Sequence, residues 1–304
     1  MPDIDQIIDG IKNCQNRAIA KAISLVEDGS EQSDKLLDSL DKLMIDQTMV
    51  LGITGNPGAG KSTLTDRLIG WNREEDKRVG VIAIDPSSPI SGGAIHGDRI
   101  RMMQHALDNQ VVVRSMATRG RLGGLCASAG AVSRIMANGG CNPVIVETVG
   151  VGQSEMDIIR MADVTVLVTA PGLGDDIQAL KAGLLEVADI MVVNKGDRPG
   201  SDKLMLELQE AAREKGKLVI KTVASEGQGV KELYDNIGLL FKDKQESGEN
   251  ERKRRLSRGV EVVDWCLEML RPHLKDLVNG LESDYYGDPR IQGKKIVNRL
   301  LKRE

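Results

Sequence analysis

Apolar positions along this chain follow two alternating rhythms. Short runs rich in β-branched residues, at Met49–Thr54, Val79–Ile84, Val111–Ser115, Val144–Glu147, Val164–Thr169, Ile190–Asn194 and Leu218–Val223, read as buried strands. Helical patterns of about ten or more residues separate most of them. This alternation predicts an α/β fold built from βαβ units, with a mainly parallel sheet flanked by helices. In such sheets a ligand lies beyond the C-terminal ends of the strands. Before the first strand, Ile4, Ile7, Ile8 and Ile11, then Ile19, Ala22, Ile23 and Val26, recur at helical spacing. Asp28-Gly29-Ser30 breaks this helix from a second one through Leu36, Leu37, Leu40 and Leu43. After the last strand, Lys242–Glu251 reads as a polar linker, and Val260, Val263, Leu267 and Leu270 define a further helix. A short helical tail cannot make its own core, so it must pack on the main domain or on another subunit. The division expected is a helical extension at 1–45, an α/β domain at 46–245 and a helical arm at 246–304.

Composition narrows the classes of function. The 304 residues are 40% hydrophobic and 28% charged, enough for a sizeable core. Six aromatic residues in the whole chain give little surface for stacking nucleobases. A net charge of −4 argues against a nucleic-acid or anionic-membrane partner. The Met1-Pro2-Asp3 start lacks an apolar signal core, and no apolar run is long enough to span a bilayer. The four cysteines form no C-x-x-C and do not pair with the histidines at ligand spacing. A reduced cytoplasmic protein with small, mostly buried thiols is expected. The run Arg252-Lys253-Arg254-Arg255 reads as a solvated helix face, with a docking patch as the alternative.

Two motifs at strand ends carry chemistry. Gly55-Asn56-Pro57-Gly58-Ala59-Gly60-Lys61-Ser62 fits G-x-x-x-x-G-K-[ST] between a strand and a helix-like stretch from Ser62 to about Arg73, and these residues with Thr63 are the expected nucleotide-binding loop. Its glycines let backbone N–H groups turn toward phosphate oxygens, and the helix N-terminus adds partial positive charge. Lys61 would reach the β- and γ-phosphates, and Ser62 would hold Mg²⁺. About 130 residues on, Asn194-Lys195-Gly196-Asp197 matches N-K-x-D. A carboxylate at Asp197 can accept from both N1–H and the 2-amino group of guanine. Adenine would leave that carboxylate unpaired, so GTP and GDP are the expected ligands. Asn194 would face N7 and the Lys195 stem would cover the ring.

Asp85 and Glu147 each end an apolar strand and could supply hard oxygen to Mg²⁺. Glu147-Thr148-Val149-Gly150 resembles the D-x-x-G switch of GTPases, with the Gly150 N–H at the γ-phosphate. Val151 stands where Ras-type proteins carry a water-positioning Gln, and Gln153 follows two residues later. Slow intrinsic hydrolysis is therefore expected. The Pro86–Gly93 segment suits a first switch. Arg119 lies in a glycine-spaced loop and could meet phosphate or a partner. Thr222-Val223-Ala224 resembles the element whose alanine N–H meets guanine O6, with Val223 replacing the usual Ser.

These residues, together with Asp85–Pro89, Ser91–Gly93, Gly97-Asp98, Thr118–Gly120, ETVGVGQSE at 147–155 and Gly174–Gln178, resemble the methylmalonyl-CoA mutase-associated GTPases of the MeaB/ArgK type. The resemblance spans about residues 45–240. It implies a P-loop GTPase chaperone that gates adenosylcobalamin delivery to an acyl-CoA mutase, and that protects the mutase from inactivation. It also implies a homodimer assisted by the C-terminal helices. By the same resemblance Asp85, Asp98 and Glu147, with Ser62, surround Mg²⁺. Asp175, Gln178 and Lys181 fall in a third switch, and Lys61, Glu147 and Lys181 become the catalytic candidates. His96 reads as a tolerated loop residue. Asn56 stands where related ATPases carry an extra lysine, so their intersubunit-lysine mechanism is not supported. A nickel-type metal insertase, a transport-associated kinase and a non-enzymatic GTP-binding scaffold remain as alternative readings.

Overall fold

A computed structural model describes residues 3–85, 105, 107–117, 124–148, 154–172, 184–213, 215–279 and 288–301. Among these, seven strands form one sheet in the order β3-β2-β4-β1-β5-β6-β7. They are β1 Val50–Gly55, β2 Val79–Asp85, β3 Val111–Ala117, β4 Val144–Thr148, β5 Val164–Thr169, β6 Ile190–Val193 and β7 Leu218–Lys221. Every neighbouring pair is parallel. All seven runs read from the sequence are strands, because β-branched side chains fit a pleated surface buried on both faces.

The central strand β1 lies between β4 and β5, with Ile53 opposite Glu147 and Gly55 opposite Val168. Helices α5 (Lys61–Glu74) and α10 (Val230–Glu246) cover one face. There Leu51, Ile53, Ile145 and Val166 pack against Leu64, Leu68, Leu233 and Ile237. On the other face Ile82, Ile84, Val144 and Val146 meet Val132, Ile135 and Met136 of α6 (Gly124–Asn138). Alternate residues of one strand thus enter opposite cores, as the two-residue strand period requires.

Four N-terminal helices join the α6 side: α1 Ile4–Lys12, α2 Asn16–Glu27, α3 Gln32–Asp38 and α4 Lys42–Gln47. The single helix expected up to Val26 is two. Cys14 adopts φ 55° between them, and a residue in the left-handed region ends a helix. The second expected helix is also two, because the Asp41 carboxylate accepts from Leu43 N–H at 2.8 Å and starts α4 afresh. Among the described cysteines only Cys141 is buried, while Cys14 and Cys266 are exposed, so the expectation of mostly buried thiols does not hold. Burial raises the Cys141 thiol to about 11.

The remaining helices are α7 Ser154–Met161, α8 Leu184–Val187, α9 Ser201–Arg213, α11 Glu249–Asn279 and α12 Pro289–Leu301. No helix among the described residues is long and apolar enough to cross a membrane. The linker expected over 242–251 is also absent: α10 ends at Glu246 and α11 starts at Glu249. Lys244 explains the continuity, since its ammonium is buried against Asp189 at 2.5 Å and Glu249 at 3.1 Å.

Nor is the basic run at the start of α11 simply a solvated face. Arg254 sends Nε and Nη2 to the two carboxylate oxygens of Asp163, at 2.7 and 2.6 Å. Its other hydrogen bonds are to the carbonyls of Ile45, Asp46 and Thr48, at 3.0, 2.9 and 2.7 Å. Asp163, 1% exposed, also accepts from Val50 N–H at 2.8 Å. One side chain thereby joins α4, the entry to β1, the entry to β5 and α11. Further along, Glu261 receives both terminal nitrogens of Arg134 from α6, at 2.8 and 2.5 Å.

Candidate nucleotide site

Beyond the C-terminal end of β1 the chain turns through Gly55–Gly60 into α5. Gly55 has φ +135°, and a Cβ there would lie 1.9 Å from the Val168 carbonyl oxygen. Gly60 caps α5 with φ +92°, and a Cβ there would lie 2.4 Å from Asn194 Nδ2. Neither backbone position admits a side chain, which fixes two glycines of the motif on steric grounds. Lys61 folds back over the loop and is 5% exposed. It donates to Gly55 O at 2.6 Å and Asn56 O at 2.9 Å. Ala59 is buried beneath the loop, while Pro57, Gly58 and Thr63 are open to solvent.

Ser62, on the first turn of α5, donates its hydroxyl to Glu147 Oε1 at 2.7 Å. Glu147 is 3% exposed on β4, next to Thr148, whose hydroxyl lies 3.3 Å from that of Thr54. A hydroxyl and a carboxylate held together beside a phosphate loop form a hard-oxygen donor pair of the kind Mg²⁺ takes. These two residues fit the expected ion. Asp85 ends β2, and its side chain lies outside the described atoms. Asp98, Gly150, Val151, Gln153, Lys181, His96, Arg119, Asp175, Gln178 and the Pro86–Gly93 segment also lie outside the described residues.

On the other side, the segment after β6 is tied to the phosphate loop. Asn194 is 2% exposed and donates Nδ2–H to Ala59 O at 2.9 Å. Its Oδ1 accepts from Ala224 N–H and from the Thr222 hydroxyl, each at 3.0 Å. Lys195, at φ 55°, donates to Gly58 O at 2.6 Å. Asn194, expected at guanine N7, and the Ala224 N–H, expected at O6, are thus bonded to one another here. Asp197 stands exposed on the next turn. That turn is held by Gly196 N–H on Thr222 O at 2.9 Å and by the Ser201 hydroxyl on Gly196 O at 2.8 Å.

The structure brings together Lys61, Ser62 and Glu147 in one group, and Ala59, Asn194, Lys195 and Ala224 in another. Sequence reading placed Thr222 in the Ala224 element without giving its hydroxyl a role, and missed Arg67 beside the second group. Thr222 is a hydroxyl at a strand end, a pattern too common to signal a role. Arg67 reads as one more polar residue on a helix.

A parallel sheet with a phosphate loop at the end of its central strand defines a P-loop nucleotide hydrolase. The family model described as methylmalonyl Co-A mutase-associated GTPase MeaB matches residues 19–279, and the chain belongs to that family. A putative GTPase of Pyrococcus horikoshii is 48% identical over 271 residues, 86% of this chain and 85% of that protein. The mitochondrial methylmalonic aciduria type A homolog of Mus musculus is 32% identical over 298 residues, 90% of this chain and 71% of that protein. A crystal structure described as a LAO/AO transport system kinase has the same fold, with a TM-score of 0.71. It is 23% identical and the match covers 98% of this chain and 97% of that one. The protein is a GTPase of the P-loop class, converting GTP and water to GDP and phosphate.

Proposed function

We propose that this GTPase gates and protects an adenosylcobalamin-dependent acyl-CoA mutase, methylmalonyl-CoA mutase being the first candidate. Family membership and the likeness to the methylmalonic aciduria type A homolog support this reading. The nucleotide part rests on one observation: Asn194 and Lys195 reach directly onto the carbonyls of Ala59 and Gly58, so base-reading and phosphate-reading segments move together.

In this reading the loop N–H groups and Lys61 hold the β- and γ-phosphates, and Asp197 accepts from the guanine edge. The Ala224 N–H serves O6 while shared with Asn194 Oδ1, a three-centre arrangement. Ser62 and Glu147 would hold Mg²⁺, together with Asp85 and Asp98. The ion would supply charge neutralisation between the β- and γ-phosphate oxygens. We assign the nucleotide chemistry to residues 46–245 and dimerisation to the 246–304 arm. On α11, Leu256, Val260, Val263, Leu267, Leu270, Leu274 and Leu277 recur at alternating spacings of four and three residues. The first five are between 38% and 75% exposed. An exposed seam of this period over residues 256–270 suits a second copy of the same helix.

The test is nucleotide-linked binding to purified methylmalonyl-CoA mutase. By linkage, GDP, a GTP analogue and no nucleotide must give different mutase affinities, and mutase must shift nucleotide affinity by the same factor. The Lys181→Ala chain should bind GTP nearly normally and lose mutase-stimulated hydrolysis. Identical mutase affinities in all three nucleotide states would sink the chaperone mechanism.

A further inference from the structure

The loop that follows β7 is gripped from a third direction. Arg67 lies on the second turn of α5, six residues past Lys61. It sends Nε to Ala224 O at 3.0 Å and Nη2 to Ser225 O at 2.5 Å. Its planar fork therefore spans two successive peptide carbonyls with two donors held in one fixed plane. Opposite it, Asn194 holds the Ala224 N–H, and the Val223–Gln228 bridge closes the base of the loop. Residue Ala224 is thus clamped at its N–H by the N-K-x-D segment and at its C=O by the helix of the phosphate loop.

We propose that Arg67 is a positioning residue for guanine recognition. It fixes the spacing between the triphosphate seat on the first turn of α5 and the backbone edge that reads the six-position of the base. The inference rests on the guanine reading above. An α-helix rises 1.5 Å per residue, so Lys61 and Arg67 stand about 9 Å apart along a rigid rod. A cation donating to two carbonyls makes charge-assisted bonds that hold the loop at that spacing. Without the clamp the loop keeps its Asn194 anchor but gains freedom relative to the phosphate loop. The cost should then fall on the contact to O6 and not on the phosphate contacts.

The test compares GTP with an analogue that offers no oxygen at the six-position. Binding of GTP and of 2-aminopurine riboside 5′-triphosphate, which lacks O6 and with it the N1–H, is titrated into the full chain and into its Arg67→Ala and Arg67→Lys variants, and each variant is compared with the full chain for the same nucleotide. For Arg67→Ala, GTP should bind roughly five- to tenfold more weakly, the scale of one net hydrogen bond, and the analogue should change less than about twofold. Arg67→Lys should lie between, since one carbonyl can still be met. Equal weakening of both nucleotides would make Arg67 a general brace and overturn the inference, as would unchanged GTP affinity. Should the alanine variant fail to fold, the lysine variant carries the same comparison. The outcomes also separate the two readings. An unmodified chain that binds ATP as well as GTP defeats the guanine reading itself, whereas a guanine-selective chain indifferent to Arg67→Ala defeats only the present inference.

Discussion

Asp197 lies exposed, so it stabilises little until a base covers it. That makes it a good probe of ligand recognition, because substitution should leave the fold intact. Asp197→Asn replaces an acceptor by a group that turns a donor toward guanine donors. GTP affinity should drop by about 2–4 kcal/mol, as measured by calorimetry, while the melting temperature stays unchanged. Lys61 and Glu147 separate two other roles. Lys61→Ala should abolish tight nucleotide binding, since the ammonium sits directly over the phosphate loop. Glu147→Ala should spare binding more than turnover, because its carboxylate meets Ser62 on the expected metal side. Retained hydrolysis in Lys61→Ala, or Mg²⁺-independent turnover equal to that with Mg²⁺, would refute these roles.

Among the elements, the strands were the most legible. A buried parallel strand is a short apolar run, and seven such runs became seven strands. Glycine and lysine at fixed spacing made the phosphate loop readable, because their steric and electrostatic reasons are local. The N-terminal helix breaks at Cys14 and Asp41 were not, since each depends on one left-handed residue or one capping carboxylate. Arg254 was misread for a different reason. A basic residue in a basic run belongs on the surface unless a distant carboxylate meets it, and Asp163 lies 91 positions earlier. Arg67 was silent likewise, its partners being backbone carbonyls 157 and 158 residues on. Arg254→Ala should leave the nearly inaccessible Asp163 carboxylate without its partner and destabilise the chain by about 3–5 kcal/mol in urea. Arg254→Lys should recover only part of this, because an ammonium cannot replace a fork that serves five acceptors. A denaturation midpoint equal to that of the unmodified chain would contradict the clamp.

At the scale of the whole molecule, α11 presents two faces with different work. The inner face carries Arg254, Glu261 and Trp265 against the body of the protein, while the outer face carries the leucine and valine seam. Val263→Glu places a charge in that seam without touching the inner contacts. If the arm pairs as proposed, sedimentation should report a dimer for the unmodified chain and a monomer for this variant, with GTP binding retained. A variant that still sediments as a dimer would place the interface elsewhere.

The Arg254 clamp also bears on the order in which this protein is made. Synthesis delivers Ile45–Thr48 and Asp163 long before residue 254 leaves the ribosome. Until then, among the described residues already synthesised, the Asp163 carboxylate has the Val50 N–H as its hydrogen-bond partner, and water must serve its remaining valences. The N-terminal half can assemble its strands early, but the junction below β1 and β5 stays wet and loosely closed until the arm arrives. The GTPase body is therefore finished by about its last fifth, and a chain whose synthesis stops near residue 245 should be an early client of cellular proteases and not a smaller working enzyme.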